Sequence, residues 1–212
     1  MNYLDILQDK EIMAIYSRIE VSKQNESKHY GYIHTLSVLE YAKQLAKCFK
    51  LTDKEQELLF IACVLHNIGH LNGKALYAQT GTEMAKGYLK KHRVEEEDIK
   101  IICSAILSHT GRRKDNFYDN VSACLILADK MDFGKGRIKP YFEPLDDEDE
   151  ICKAITDISV ERNDDTVSLV LGGDNVKWNK FIECGVYSKL YRCFETVCKK
   201  HNYKFVAKVK KG

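Results

Sequence analysis

The sequence predicts a mainly α-helical bundle, closed by a small antiparallel β element and a long C-terminal helix. Three observations carry the prediction. Apolar residues recur at helical spacing through consecutive segments between residues 29 and 133. The stretches joining those segments are short, as they are between packed helices of a bundle. Only the tail, from residue 155 onward, alternates apolar and polar residues as a strand does.

Taken in order, residues 29–49 place Leu36, Leu39, Ala42, Leu45, Ala46 and Phe49 on one helical stripe. Residues 53–66 open on TDKEQE, where Thr52 or Asp53 serves as N-cap and the acids favour the first turn. Helices are expected over 80–91, over 95–109 behind the acidic run EEED, and over 118–133, ending at Gly134. Residues 155–162 and 166–171 flank an Asn-Asp-Asp turn and read as a hairpin. Residues 178–200 return to helical periodicity, and 203–209 (YKFVAKV) read as a last strand. The run DDEDE at 146–150, behind Pro140 and Pro144, is expected to be a mobile loop or boundary. It divides a helical part, 1–145, from a C-terminal extension, 146–212, packed on the same domain.

Composition removes several classes. With 44% hydrophobic and 30% charged residues the chain is neither disordered nor a membrane protein. Two prolines and twelve glycines leave little for a many-turned all-β design. A formal net charge of +2 gives no argument for a nucleic-acid duplex or a membrane surface as partner. Most of the eight cysteines sit in apolar helical stretches, none in a CxxC pair, so reduced thiols and a cytoplasmic location are expected. The longest stretch without formal charge, Leu58 to Gly73, is too short and too polar to span a bilayer.

Function is suggested by the residues that interrupt apolar faces. His34 shares a stripe with Val38, Tyr41 and Leu45; His66 follows Leu59, Ala62 and Cys63; His109 closes Ile99, Ile102 and Ile106; Asp129 sits one turn after Leu125. A buried ionisable group is costly unless partnered. Four of them on four helices can meet at one point of a bundle, where three imidazoles and a carboxylate suit a divalent transition metal. His66 and His70 have the spacing of half an HExxH motif, but Asn67 stands where its glutamate would, which removes the metalloprotease reading. His29, His92 and His201 have polar neighbours and read as surface. Basic residues follow two of the ligand-bearing helices: Arg112, Arg113 and Lys114 after His109, and Lys130, Lys135, Arg137 and Lys139 after Asp129. They favour helix C-termini, and they also suit a phosphate-sized anion.

In this order the residues resemble the HD-domain superfamily of metal-dependent phosphohydrolases, from about His29 to Arg137. YIHTLSVLEYAKQLA resembles the family's first histidine helix, ACVLHNIGH its His-Asp signature, ILSHTG the later histidine and LADKMD the closing aspartate. The resemblance implies a divalent metal (Mn, Fe, Co, Zn, Ni or Mg) on His34, His66, Asn67 and Asp129. It implies catalytic roles for His66, Asn67 and His109. Arg112, Arg113, Lys130 and Arg137 are the candidate substrate-binding residues. The ligand expected is a small phosphorylated molecule such as a nucleotide, and a homodimer is compatible with the pattern. Two departures bear on activity. Asn67 replaces the signature aspartate and weakens the metal site by a full negative charge. Tyr77 stands where two-metal members often carry a histidine. The expected function is therefore phosphate-ester hydrolysis, weakened or abolished by Asn67. The alternative is an HD-fold module that binds a small anion or a partner without hydrolysis.

Overall fold

The computed structural model describes residues 1–72, 76–110 and 119–210. Two N-terminal helices, α1 (Tyr3–Leu7) and α2 (Lys10–Ser22), precede the bundle. Then follow α3 (Tyr32–Cys48), α4 (Asp53–Leu65), a 3-10 turn (Ile68–Asn72), α5 (Tyr77–Lys91), α6 (Glu96–Ser108) and α7 (Asn120–Met131). The local signals act as expected. Thr52 and Glu55 form a reciprocal capping box at α4, and Glu96, Glu97 and Asp98 fill the first turn of α6.

Helix α7 is the centre of the bundle because its sequence, VSACLILA, is apolar on every side; residues 121–128 are all buried. It packs on α3, α4 and α6, the helices that carry or lead into the candidate histidines. A second short 3-10 turn (Lys135–Arg137) and α8 (Asp147–Lys153) lead to β1 (Asp157–Asn163) and β2 (Thr166–Gly172). Helices α9 (Trp178–Glu183) and α10 (Gly185–Lys200) then return the chain to β3 (Lys204–Val209). Helix α10 covers α7 and β1 lies on α3, so the tail completes the same hydrophobic core.

The structure departs from the sequence expectation in four places. The N-terminal helices were not expected from the sequence pattern. The antiparallel pairing expected of the tail holds for β1–β2, whereas β3 joins β2 in parallel. A helix separates β2 from β3, and such a crossover is what a parallel pair requires. The helix expected over 178–200 breaks at Cys184, which is extended. The acidic run is not a loop but the start of α8: Asp146 caps the helix, Asp147 and Glu150 are exposed, Glu148 accepts the Val186 amide at 3.0 Å near the start of α10, and Asp149 is 2% exposed. Asp149 accepts from Ser27 Oγ at 2.5 Å and pairs with Lys28 at 2.6 Å.

One glycine contact positions the site. A Cβ on Gly69 would lie 1.9 Å from the Tyr77 carbonyl oxygen and 2.8 Å from Gly81 Cα. Only glycine lets the segment after His66 lie this close to α5.

Candidate metal centre

His66 and His109 each stand just past a helix end, as C-caps of α4 and α6 in right-handed helical conformation. Carbonyls at a helix end have no intrahelical donor. Each imidazole fills that need locally: His66 Nδ1 donates to the Cys63 carbonyl at 2.7 Å, and His109 Nδ1 to the Ile106 carbonyl at 2.5 Å. A carbonyl only accepts, so the proton is on Nδ1 and each Nε2 keeps its lone pair.

His34 reaches the same arrangement from the first turn of α3. Its Nδ1 lies 2.5 Å from Asp132 Oδ2, and Arg137 Nη1 reaches that same oxygen at 3.2 Å. Burial, and then the nearby Asp129, raise the Asp132 carboxyl. Ser37 and His29 act against that shift. The Oδ2 that takes the Arg137 donor stands as an acceptor toward His34. Burial lowers Arg137 only to about 10, so it stays charged at neutral pH.

Two lone pairs thus face each other, His34 Nε2 and His66 Nε2, 3.1 Å apart. Asp129 Oδ1 joins them at 3.3 and 3.8 Å. The ligand atoms of this trio lie within 4.8 Å of one another. Burial raises the Asp129 carboxyl, but Lys130, His109 and His66 outweigh it and hold the group well below the usual carboxylate range. Burial brings His66 down to about 3, with His109 adding to the effect, and burial also lowers His109. The result is neutral imidazoles at His66 and His109 beside a carboxylate at Asp129, with His34 Nε2 turned toward them by its Nδ1 contact to Asp132. That donor set fits a divalent cation, and the partners on each Nδ1 fix the orientation of the rings.

The remaining sequence candidates divide. Asn67 is buried next to His66, but its amide nitrogen donates to the Tyr30 carbonyl at 3.2 Å. His109 stands beside the trio, its ring centroid 5.2 Å from that of His66. Lys130 lies on the Asp129 carboxylate, and its ammonium reaches the His109 carbonyl at 3.4 Å. Arg137 is turned onto Asp132 and packs 5.0 Å from the Tyr30 ring centroid. Arg112 and Arg113 lie outside the described residues. His70 does not join His66 as a ligand pair; it stacks on Tyr77 with centroids 4.0 Å apart. Of the histidines read as surface, His92 is exposed while His29 and His201 are partly buried. All eight cysteines are free.

Sequence reasoning missed Asp132 and Tyr30. Asp132 lies three residues after Asp129, within LADKMD, and that spacing on one helix face was its only signal. Tyr30 acts through its main-chain carbonyl, which no side-chain pattern reveals.

The HD domain family model matches residues 31–155, more than half of the chain, and the chain belongs to that family. The match supports a metal-dependent phosphohydrolase family. An uncharacterized protein of Clostridium beijerinckii (strain ATCC 51743 / NCIMB 8052) is 29% identical over 134 residues, covering 59% of this chain and 80% of that protein. A crystal structure described as a predicted HD superfamily hydrolase, from an uncultured Thermotogales bacterium, is similar at 23% identity and a TM-score of 0.46. That match covers 59% of this chain and 68% of the other. No helix among the described residues is long and apolar enough to cross a membrane.

Proposed function

We propose that this chain hydrolyses a phosphate ester of a nucleotide or another small phosphorylated metabolite, using one divalent ion on His34, His66 and Asp129. The observation that carries this reading is the meeting of His34 Nε2, His66 Nε2 and the Asp129 carboxylate within 3.1–3.8 Å of one another. A divalent ion, when bound, supplies a Lewis acid for the phosphoryl oxygen and lowers the pKa of attacking water. The protein's own groups do the rest. Asp132 and the Cys63 carbonyl hold the two imidazoles in the ligating tautomer. His109 Nε2, left as an acceptor, orients the incoming water and takes its proton. Lys130 and Arg137, with Arg112 and Arg113, offset the phosphate's charge as it develops. Asn67 is a weak fourth ligand, because its carbonyl oxygen brings no charge.

A second reading is an HD-fold module that binds an anion without turning it over. The commitment of the Asn67 amide to the Tyr30 carbonyl favours it. A phosphatase and phosphodiesterase screen with Mn, Fe, Co, Zn, Ni and Mg, run on this chain and on Asn67→Asp, separates the two. Metal-dependent turnover that rises in Asn67→Asp supports hydrolysis. Ligand binding with no turnover in either form supports the module.

A further inference from the structure

Beyond the metal centre, the stretch from Lys23 to Tyr30 brings cations to a buried place beside it. This stretch lies ahead of the span matched by the family model. Lys23 is 6% exposed and Arg137 9%. The Lys23 ammonium lies 5.5 Å from the Tyr30 ring centroid, and the Arg137 guanidinium carbon 5.0 Å from it. The His70 ring meets the same tyrosine edge-on at 5.2 Å, and its Nδ1 has no hydrogen-bond partner among the described residues.

Buried cations are normally well paired. Among the described residues their direct hydrogen-bond partners are few, with the Glu20 carboxylate acting on Arg137 without a hydrogen bond. An ammonium has three N–H donors and a guanidinium five. Lys23 meets one carboxylate oxygen, of Glu26, at 3.3 Å, and Arg137 meets one, of Asp132, at 3.2 Å. Two like charges share one ring, with donors in excess of hydrogen-bonded acceptors among the described residues. An oxyanion placed against them would satisfy the donors and remove the repulsion.

The segment is also held in place. The His29 amide donates to the Arg137 carbonyl at 2.9 Å, the Lys139 amide to Ser27 at 2.8 Å, and the Lys139 ammonium to the Lys23 carbonyl at 2.6 Å. Buried Asp149 anchors Ser27 and Lys28 from α8. Two links tie this platform to the candidate metal centre: Asn67 to the Tyr30 carbonyl, and Arg137 through Asp132 to His34.

We infer that Lys23 and Arg137, flanking Tyr30 beside His70, form a phosphate-binding subsite that holds an anionic group of the ligand next to the metal centre. The inference rests on the phosphohydrolase reading for its ligand, and it adds a binding residue, Lys23, from outside the family's span.

The test is calorimetric binding of inorganic phosphate and pyrophosphate to the full chain in the presence of chelator, so that no metal contributes. The wild-type chain is expected to bind. Lys23→Gln should weaken binding at least about tenfold, the loss of a charge-assisted hydrogen bond, while Lys23→Arg retains it. Glu26→Gln frees the ammonium from its acceptor and should tighten binding several-fold, a gain that a purely structural lysine would not give. Glu26→Gln also keeps the test decisive if Lys23→Gln does not fold. Phosphate binding that is absent from the wild-type chain, indifferent to Lys23→Gln, or unchanged in Glu26→Gln overturns the inference. Because chelator is present, failure of metal-dependent hydrolysis is read in the separate turnover screen and leaves this result standing or falling alone.

Discussion

Replacing Asp132 by leucine separates two tasks that this carboxylate performs at once. Its Oδ2 receives both His34 Nδ1, at 2.5 Å, and Arg137 Nη1, at 3.2 Å. Asp132→Leu leaves a guanidinium that is more than nine-tenths buried without its counter-ion, which costs about 3–5 kcal/mol of stability. It also releases His34 from its fixed tautomer. Loss of such an outer partner typically lowers metal affinity about 10–100-fold. The double variant Asp132→Leu/Arg137→Met removes the stranded charge but leaves His34 Nδ1 without an acceptor. Urea unfolding of the metal-free proteins should show the double variant recovering most of the lost stability. Metal titration should show it recovering none of the lost affinity. Full metal affinity in either variant would refute the role given to Asp132.

Three further outcomes follow from the same geometry. Asn67→Asp adds a charge worth about 4 kcal/mol at 4 Å and an effective dielectric of 20. It also sets an acceptor against the Tyr30 carbonyl at a cost of about 1–3 kcal/mol. Competition with a metal-binding dye should therefore show a net gain of about ten- to a hundredfold in affinity, and no gain would remove position 67 from the ligand set. Gly69→Ala forces a Cβ into the Tyr77 carbonyl and should lower stability by more than about 3 kcal/mol in urea unfolding, with Gly81→Ala milder because its nearest neighbour is at 3.2 Å. The metal-free protein should lose stability as pH falls. Burial, and then Lys23, lower His70 to about 4, and burial lowers His66 to about 3. The unfolded chain takes up these protons from about pH 6.5 downward and the folded one does not. Stability is therefore complete above that pH and declines toward pH 4; a flat profile across this window would contradict the buried neutral histidines.

The legible parts of this molecule were those written in side-chain periodicity. The stripes ending in His34, His66 and His109 located three helices and the histidines at their ends, because apolar spacing and an ionisable interruption are both visible in sequence. Asp129 was legible for the same reason. Asp132 was not, since its role comes from the fold bringing the end of α7 against the start of α3. Tyr30 was not, since it offers a main-chain carbonyl. The run at 146–150 misled because composition alone cannot separate a mobile acidic loop from a helix start in which Asp149 meets Lys28 and Ser27 from far along the chain. The direction of β3 could have been read: a sixteen-residue helix, Gly185–Lys200, lies between it and β2, and such a connection runs to a parallel partner.

The central claim is that two imidazoles and one carboxylate form a divalent-metal site. Its most direct test is titration of the metal-free chain with Zn or Mn, followed by X-ray absorption of the zinc-loaded form. One ion per chain is expected, with two imidazole nitrogens in its coordination shell at about 2.0–2.1 Å and carboxylate oxygen beside them. Binding should be lost in His34→Ala, His66→Ala and Asp129→Ala chains that still fold. A chain that takes up no ion at millimolar concentration, or one whose binding is untouched by all three substitutions, would contradict the account.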